Sequence, residues 1–297
     1  MQTLKILIVG LSKHSRLRIL PAVRKFKNVE INILSKHFKT NKFQDIEVVR
    51  YQDINNWKNQ NYDFTILSTY PNKNISLIEK LHKHTKSILV EKPLTLDVDE
   101  FLKFSNDFKN LDLRECLMYK YHPMFNIFKD TLKNNTIKEI NTCFRIPAQP
   151  PTSYRYKKEI VGGSIYDQGI YPISLFFDTF KKSYELINKN IKSNKGLNME
   201  GVLRLKSNNI TYNLEWGHGG KYSNFVEVKT GNEVFLFPNF YSKKQDTNSF
   251  YYKNGKLFQV GNHDQFNLMY RKFFNEKKGP SIHIAIEKYI FIKNLLV

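Results

Sequence analysis

"KSILVEKPLTLDVDE", residues 86–100, carries a short apolar run, Ile88-Leu89-Val90, that breaks into Glu91-Lys92-Pro93. The run is short, β-branched and unbroken, as in a strand buried on both faces of a parallel sheet. Beyond it, Asp97 and Glu100 form an N-cap and N3 pair opening a helix with Phe101, Phe104 and Phe108 at helical spacing. The Glu-Lys-Pro break therefore falls between a strand and a helix. A lysine there is either a surface cation after a strand or a group offered at the carboxyl edge of a sheet.

The pattern repeats on the N-terminal side. Residues 4–10, Leu-Lys-Ile-Leu-Ile-Val-Gly, read as a buried strand ended by glycine, and 15–27 as a helix with Leu17, Leu20 and Val23 on one side. Further strands are expected at 29–34, 46–50, 63–68 and 114–119, with a helix at 74–84. Strands alternating with helices imply βαβ units and a doubly wound parallel sheet. After about residue 120 the texture changes. Leu203 and Leu205 alternate with Arg204 and Lys206, the chain turns at Ser207-Asn208-Asn209, and Ile210, Tyr212, Leu214 and Trp216 alternate again. That is an antiparallel hairpin with one wet face. A second hairpin turns at Thr230-Gly231-Asn232, and 282–296 reads as a helix. The expected architecture is α/β over 1–120 followed by an α+β domain over 121–297 with an open, mostly antiparallel sheet.

Two domains suit 297 residues. No apolar run approaches the ~18 residues of a membrane span. The N-terminus enters a strand without a signal-peptide layout. Cys116 and Cys143 sit in no CxxC pair or histidine cluster, so neither a disulfide framework nor a metal site is expected. A cytoplasmic protein fits best. The formal charge of +20 attracts anions, and nucleic acid is one reading on charge alone. The lysines are scattered, however, with no basic stripe, zinc finger or RNP motif, so no nucleic-acid partner is expected.

In a doubly wound sheet the ligand lies at the strands' carboxyl ends. The first turn, Gly10-Leu11-Ser12-Lys13-His14-Ser15, keeps one of the three glycines of a dinucleotide fingerprint. Serine in the second slot keeps the amide, and Lys13 and His14 at a helix start favour an anion. A ligand-free strand-to-helix turn is the alternative. The second strand ends Leu34-Ser35-Lys36-His37 without the acid that would bind ribose hydroxyls. A hydroxyl beside a cation suits a 2′-phosphate, so NADP(H) is favoured over NAD(H).

"SILVEKPLTLDVDEF" resembles the Gfo/Idh/MocA, or glucose-fructose oxidoreductase, family of NAD(P)-dependent oxidoreductases. Four further segments resemble it in order: "TYPNKNISLIEKLHKHTK", "MYKYHPMFNIFKDTL", "SYRYKKEIVGGSIYDQGIYPISL" and "VKTGNEVFLFP". The resemblance spans residue 4 to about 295. It implies an N-terminal Rossmann domain and a second domain whose open sheet mediates contacts in a homo-oligomer, a dimer or tetramer. It implies a sugar or nucleotide-sugar substrate and hydride exchange with nicotinamide. Lys92 falls on the family's electrostatic stabiliser, and its bond to Pro93 is expected cis. Tyr171 falls where many members have a catalytic histidine. The tyrosine version resembles the glucose-fructose oxidoreductase, dihydrodiol dehydrogenase and ketosugar-reductase branches. Asp167, four residues earlier, is expected on the same helix face as Tyr171.

By the same resemblance Ser68, Tyr70, Pro71 and Asn72 flank the nicotinamide ribose, with Glu91 and Lys120 also near the cofactor. His122, Tyr154 and Arg155 fall toward the substrate, and Arg155 suits an acidic or phosphorylated one. The sequence departs from the family in its serine-substituted loop, in Lys73-Asn74-Ile75 lacking the usual histidine, and in Tyr154 replacing tryptophan. A non-catalytic nucleotide- or sugar-nucleotide-binding member is the alternative reading.

Overall fold

A computed structural model of the chain describes residues 3–36, 42–50, 61–104, 111–180, 183–276 and 282–297. The chain divides into two compact units, Met1–Cys116 with Met269–Ala285, and Leu117–Leu268 with Ile286–Val297. The two contiguous segments expected from sequence do not include the return of 269–285. Aromatic contacts account for that return. Phe274 packs edge-on against Phe26, and Phe273 and Phe274 pack against Phe64, with ring centroids 4.8–5.1 Å apart. Arg114 lies over the Phe273 ring and donates to the Glu276 backbone and side chain.

The first unit holds β1 (Leu4–Val9), β2 (Val29–Ser35), β3 (Lys42–Phe43), β4 (Ile46–Arg50), β5 (Tyr62–Leu67), β6 (Thr85–Glu91) and β7 (Asp112–Cys116). They form one sheet in the order β3-β4-β2-β1-β5-β6-β7, parallel except for the β3–β4 pair. Ile6, Ile8, Ile33, Ile66, Ile88 and Leu89 are fully buried, each side chain stabilising the sheet by roughly 1.5–3 kcal/mol. The expected helix 15–27 is instead a π turn, Ser15–Ile19, running into α1 (Leu20–Val23). Pro21 explains the shortness of α1: it lacks the N–H that a continuous helix would use. Next come α2 (Asn74–Leu81) and α3 (Val98–Phe104). Asp97 Oδ1 accepts from the Glu100 amide, the expected cap. Phe108 lies outside the described residues. The strand expected at 114–119 stops at Cys116, and Met118–Tyr121 form a 3-10 turn.

The second unit is built on β8 (Ile137–Ile146), β9 (Glu185–Asn194), β10 (Leu197–Ser207), β11 (Ile210–His218), β12 (Ser223–Thr230), β13 (Val234–Pro238), β14 (Ser249–Lys253) and β15 (Lys256–Gly261). The sheet order is β15-β14-β13-β12-β8-β11-β10-β9, antiparallel except where β8 runs parallel to β11. The expected hairpin turns lie between β10 and β11 and between β12 and β13, with Asn208 at φ 51°. One face is apolar: Leu203, Leu205, Leu214, Trp216, Val226 and Val228 are buried beside α6 (Ile170–Thr179). The other carries ion pairs, Arg145 with Glu200 and Glu215, and Lys229 with Glu139. Helices α4 (Pro123–Asn134), α5 (Lys158–Val161), α7 (Gln265–Asn275) and α8 (Ile282–Leu296) complete the described elements. None of the described helices is long and apolar enough to cross a membrane.

Candidate active site

Register sets the candidate site of the first unit. Val9 pairs with Leu34 and with Leu67, and Leu67 with Val90. The next residue of each strand is therefore Gly10, Ser35, Ser68 and Glu91, aligned along one carboxyl edge. Gly10 has φ 96°, and a Cβ there would collide with the Ser68 carbonyl oxygen, so only glycine fits. The two serines in the other glycine slots form a hydroxyl cluster. Ser15 Oγ donates to the Gly10 carbonyl at 2.8 Å and lies 3.0 Å from Ser68 Oγ and from Ser12 Oγ. Ser12 Oγ accepts from the Ser15 amide. Hydrogen bonds thus hold the turn where a glycine fingerprint relies on close backbone packing. Ser12 and Lys13 remain exposed on it.

His14 and Glu91 tie this turn to the strand tip, with Nε2 and Oε1 3.1 Å apart. Burial opposes protonation of His14, but the charge and hydrogen bond of Glu91 outweigh it and raise its pKa above 6.5. Glu91 also faces the Cys116 thiol; burial first, and then this carboxylate, keep that thiol protonated. Glu91 therefore braces the turn from within. Lys92, half-buried, comes next, and the Lys92–Pro93 bond is cis as the resemblance implies. Its charge lowers the proton affinity of His14, so the two cations are neighbours. Asn74, buried, donates to the carbonyls of Pro93 and Leu94 at 3.0 and 3.2 Å and accepts from Thr69. The Leu94 amide donates to Glu115. The loop after β5 has Tyr70 and Asn72 exposed and Pro71 opening a 3-10 turn. Ser35 is buried and Lys36 exposed at the tip of β2. His37 lies outside the described residues.

In the second unit, polar side chains gather around Asp167, which is 5% exposed. It sits in a π turn, Ile165–Gly169, that leads into α6. Gly163 precedes it at φ 92°, where a Cβ would press on the Asn198 backbone. Asn198 Oδ1 accepts from Ser164 Oγ, the Ile165 amide and Trp216 Nε1, fixing the turn to β10 and β11. Asp167 Oδ2 accepts from Arg155 Nε at 2.7 Å, and His218 Nε2 lies 3.1 Å from the same oxygen. Arg155 stacks on the exposed Tyr154 ring, 5.1 Å away. Burial lowers the pKa of Arg155, but Asp167 more than restores it, with smaller contributions from Tyr154 and Tyr171.

Tyr171 is buried, with its ring against Phe144, Tyr241 and Tyr119, and its hydroxyl donates to Met118 Sδ at 3.7 Å. Asp167 and Tyr171 are four residues apart, and the π turn that holds Asp167 runs directly into the helix that carries Tyr171. Lys120 pairs with Asp178 at 2.7 Å, beside Tyr119. Its ammonium is thus engaged inside the second unit. His122 is corrected more firmly. Its Nδ1 accepts from the Met124 amide, capping α4, so Nε2 carries the hydrogen toward Ser249 Oγ at 3.2 Å. Burial, then His263 and Lys243, lower its pKa to about 4. Both ring nitrogens are used, and His122 is structural rather than substrate-binding.

Sequence reading missed Asn74, Asp178, Asn198 and His218. The last was within reach: the inward alternation Tyr212, Leu214, Trp216 continues to His218, and a buried imidazole needs a partner. Among the described residues no group of three metal-ligating side chains occurs.

Residues 4–116 match the model described as "Oxidoreductase family, NAD-binding Rossmann fold". That model is the Gfo/Idh/MocA one, and the match covers the N-terminal segment. The curated relatives include two named dTDP-3,4-didehydro-2,6-dideoxy-alpha-D-glucose 3-reductase. That of Saccharopolyspora spinosa is 26% identical over 176 residues, 56% of this chain and 52% of the relative. That of Actinomadura kijaniata is 27% identical over 216 residues, 66% of this chain and 63% of the relative. The matched stretches thus span between half and two thirds of those relatives. Among solved structures, KijD10, a 3-ketoreductase from Actinomadura kijaniata in complex with NADP and TDP-benzene, superposes with TM-score 0.87 at 20% identity. The match covers 98% of this chain and 96% of that one. The aldose-aldose oxidoreductase from Caulobacter crescentus superposes with TM-score 0.84 at 13% identity, covering 99% and 96%. The fold of both units is therefore that of these proteins.

Proposed function

We propose that the chain is an NADP(H)-dependent reductase of a nucleotide-linked ketosugar. The observation that carries this reading is the row Gly10, Ser35, Ser68, Glu91-Lys92 along one carboxyl edge, in the family of the matched segment. The residues fit a dinucleotide. Ser12 and Lys13 are exposed at the turn, and Ser35-Lys36 replace the ribose-binding acid with a hydroxyl and a cation. Bound, the cofactor supplies a hydride from nicotinamide C4. Reduction of a ketone then leaves negative charge on the carbonyl oxygen, and one proton is needed to make the alcohol. In this reading the Lys92 ammonium stabilises that oxygen in a water-poor site, and the Tyr171 phenol delivers the proton. Asp167 holds Arg155 rather than carrying the proton itself.

The relatives' names and the TDP-benzene in KijD10 support a thymidine-diphosphate-linked substrate. A cytoplasmic homodimer or homotetramer completes the reading. Val202, Val234 and Leu257 are exposed beside the ion pairs of the open sheet face, a surface suited to a second copy. The test is titration of NADPH and NADH by fluorescence, and then NADPH consumption with a dTDP-linked 3-ketosugar. Tighter NADPH binding with turnover is expected. NADPH binding without turnover would favour the non-catalytic alternative, and no NADPH binding would remove the reductase reading.

A further inference from the structure

We infer that Arg155 is the anion anchor of the substrate site, a guanidinium aimed by Asp167 and steadied through His218 to receive the diphosphate of the substrate. The inference rests on the nucleotide-sugar reading above. A guanidinium carries five N–H donors, and a carboxylate usually takes two of them side by side. Here Asp167 takes Arg155 through Nε alone, on Oδ2, an oxygen it shares with His218 Nε2. Nη1 and Nη2 have no acceptor among the described residues, although the side chain is only 28% exposed. Tyr154 covers one face of the guanidinium, which leaves the Nη edge as the side presented outward. Lys157 and Lys158 lie just beyond in the chain, both exposed. A carboxylate held side by side would have taken two of the guanidinium donors, as Asp112 does with Arg114. A fork held by its stem, with its four terminal N–H donors unspent, is shaped for an incoming oxyanion.

His218 is the positioning residue behind this arrangement. It is fully buried, and its Nδ1 has no partner among the described residues. A polar ring buried with one nitrogen unsatisfied costs stability that an apolar residue would not. The ring contributes the hydrogen bond that fixes which Asp167 oxygen faces Arg155.

The experiment is calorimetric titration of thymidine 5′-diphosphate, and of thymidine, into the NADPH-saturated protein. Arg155→Gln, in an exposed turn, is expected to weaken thymidine diphosphate roughly 10–100-fold while leaving thymidine and NADPH unchanged. Arg155→Lys falls between, because it keeps charge but loses the fork. His218→Phe weakens it a few-fold, and His218→Gln, whose amide can still donate to Asp167, restores it. Absence of thymidine diphosphate binding in the wild type, or equal binding by Arg155→Gln, overturns the inference. Failure to bind NADPH would instead overturn the enzyme reading, and the Arg155 comparison would then be decided on the cofactor-free protein.

Discussion

Lys92 and Arg155 are both cations set by their surroundings, but the two units set them by different means. Around Lys92 the work is done by the main chain. A strand ends, the chain turns at Pro93, and Asn74 grips the carbonyls of Pro93 and Leu94. Around Arg155 it is done by side chains drawn from distant positions, Asp167 on a π turn and His218 on β11. The Lys92 turn is held by one side chain, Asn74, on two successive carbonyls. A side-chain bracket shares one carboxylate between two donors, so each partner's loss is felt by the other.

The contrast is sharpened first at Lys92. Lys92→Ala should lower kcat for ketosugar reduction about 10²–10³-fold with little change in NADPH affinity, read from steady-state rates and fluorescence titration. An equal fall in both would mean that the lysine serves the cofactor rather than the reacting oxygen.

The second unit also has an acid-sensitive support. His122 has a pKa of about 4 folded against 6.5 when unperturbed, so between these values the unfolded chain binds more protons. Stability should therefore fall as the pH drops from about 6.5 toward 4, by as much as roughly 3 kcal/mol. Denaturant melts across that range, compared with His122→Asn, test this. The variant keeps a capping side chain and should show a flatter profile. An unchanged slope would mean that the imidazole is not held neutral in the folded unit.

Asn74→Ala breaks the main-chain device directly. Two buried carbonyls lose their donor, and a loss of about 1–3 kcal/mol in denaturant melts is expected, with a fall in kcat. Thymidine diphosphate affinity should stay unchanged, because the Arg155 bracket shares no partner with Asn74. If it does fall, the two devices are not separate.

Legibility in the sequence divides along the same line. The alternation of strands and helices, the row of strand tips and the Glu91-Lys92-Pro93 break are local patterns, and they place the candidate site of the first unit. The hairpins at Asn208 and Gly231 are equally local. The bracket is not. Asp167 and Arg155 were expected as separate groups, and their joining depends on tertiary packing that Asn198 fixes from β10. His122 and Lys120 carried plausible chemistry by position, but a helix cap and Asp178 claimed them. The π turns at Ser15 and Ile165 leave no periodic mark, so they could not be read from spacing.

The smallest effect tests a purely local feature. Asp97→Ala removes the cap of α3 and should cost about 1 kcal/mol in thermal or denaturant melts, without changing kcat. A change in kcat would show that α3 also governs the Lys92 turn.

The most direct measurement is isotope transfer. NADPH deuterated at both C4 positions, incubated with the protein and a dTDP-linked 3-ketosugar, should place one deuterium on the new carbinol carbon by mass spectrometry, and Lys92→Ala should slow that transfer. Bound NADPH, intact ketosugar and no deuterium in any sugar product would contradict the account.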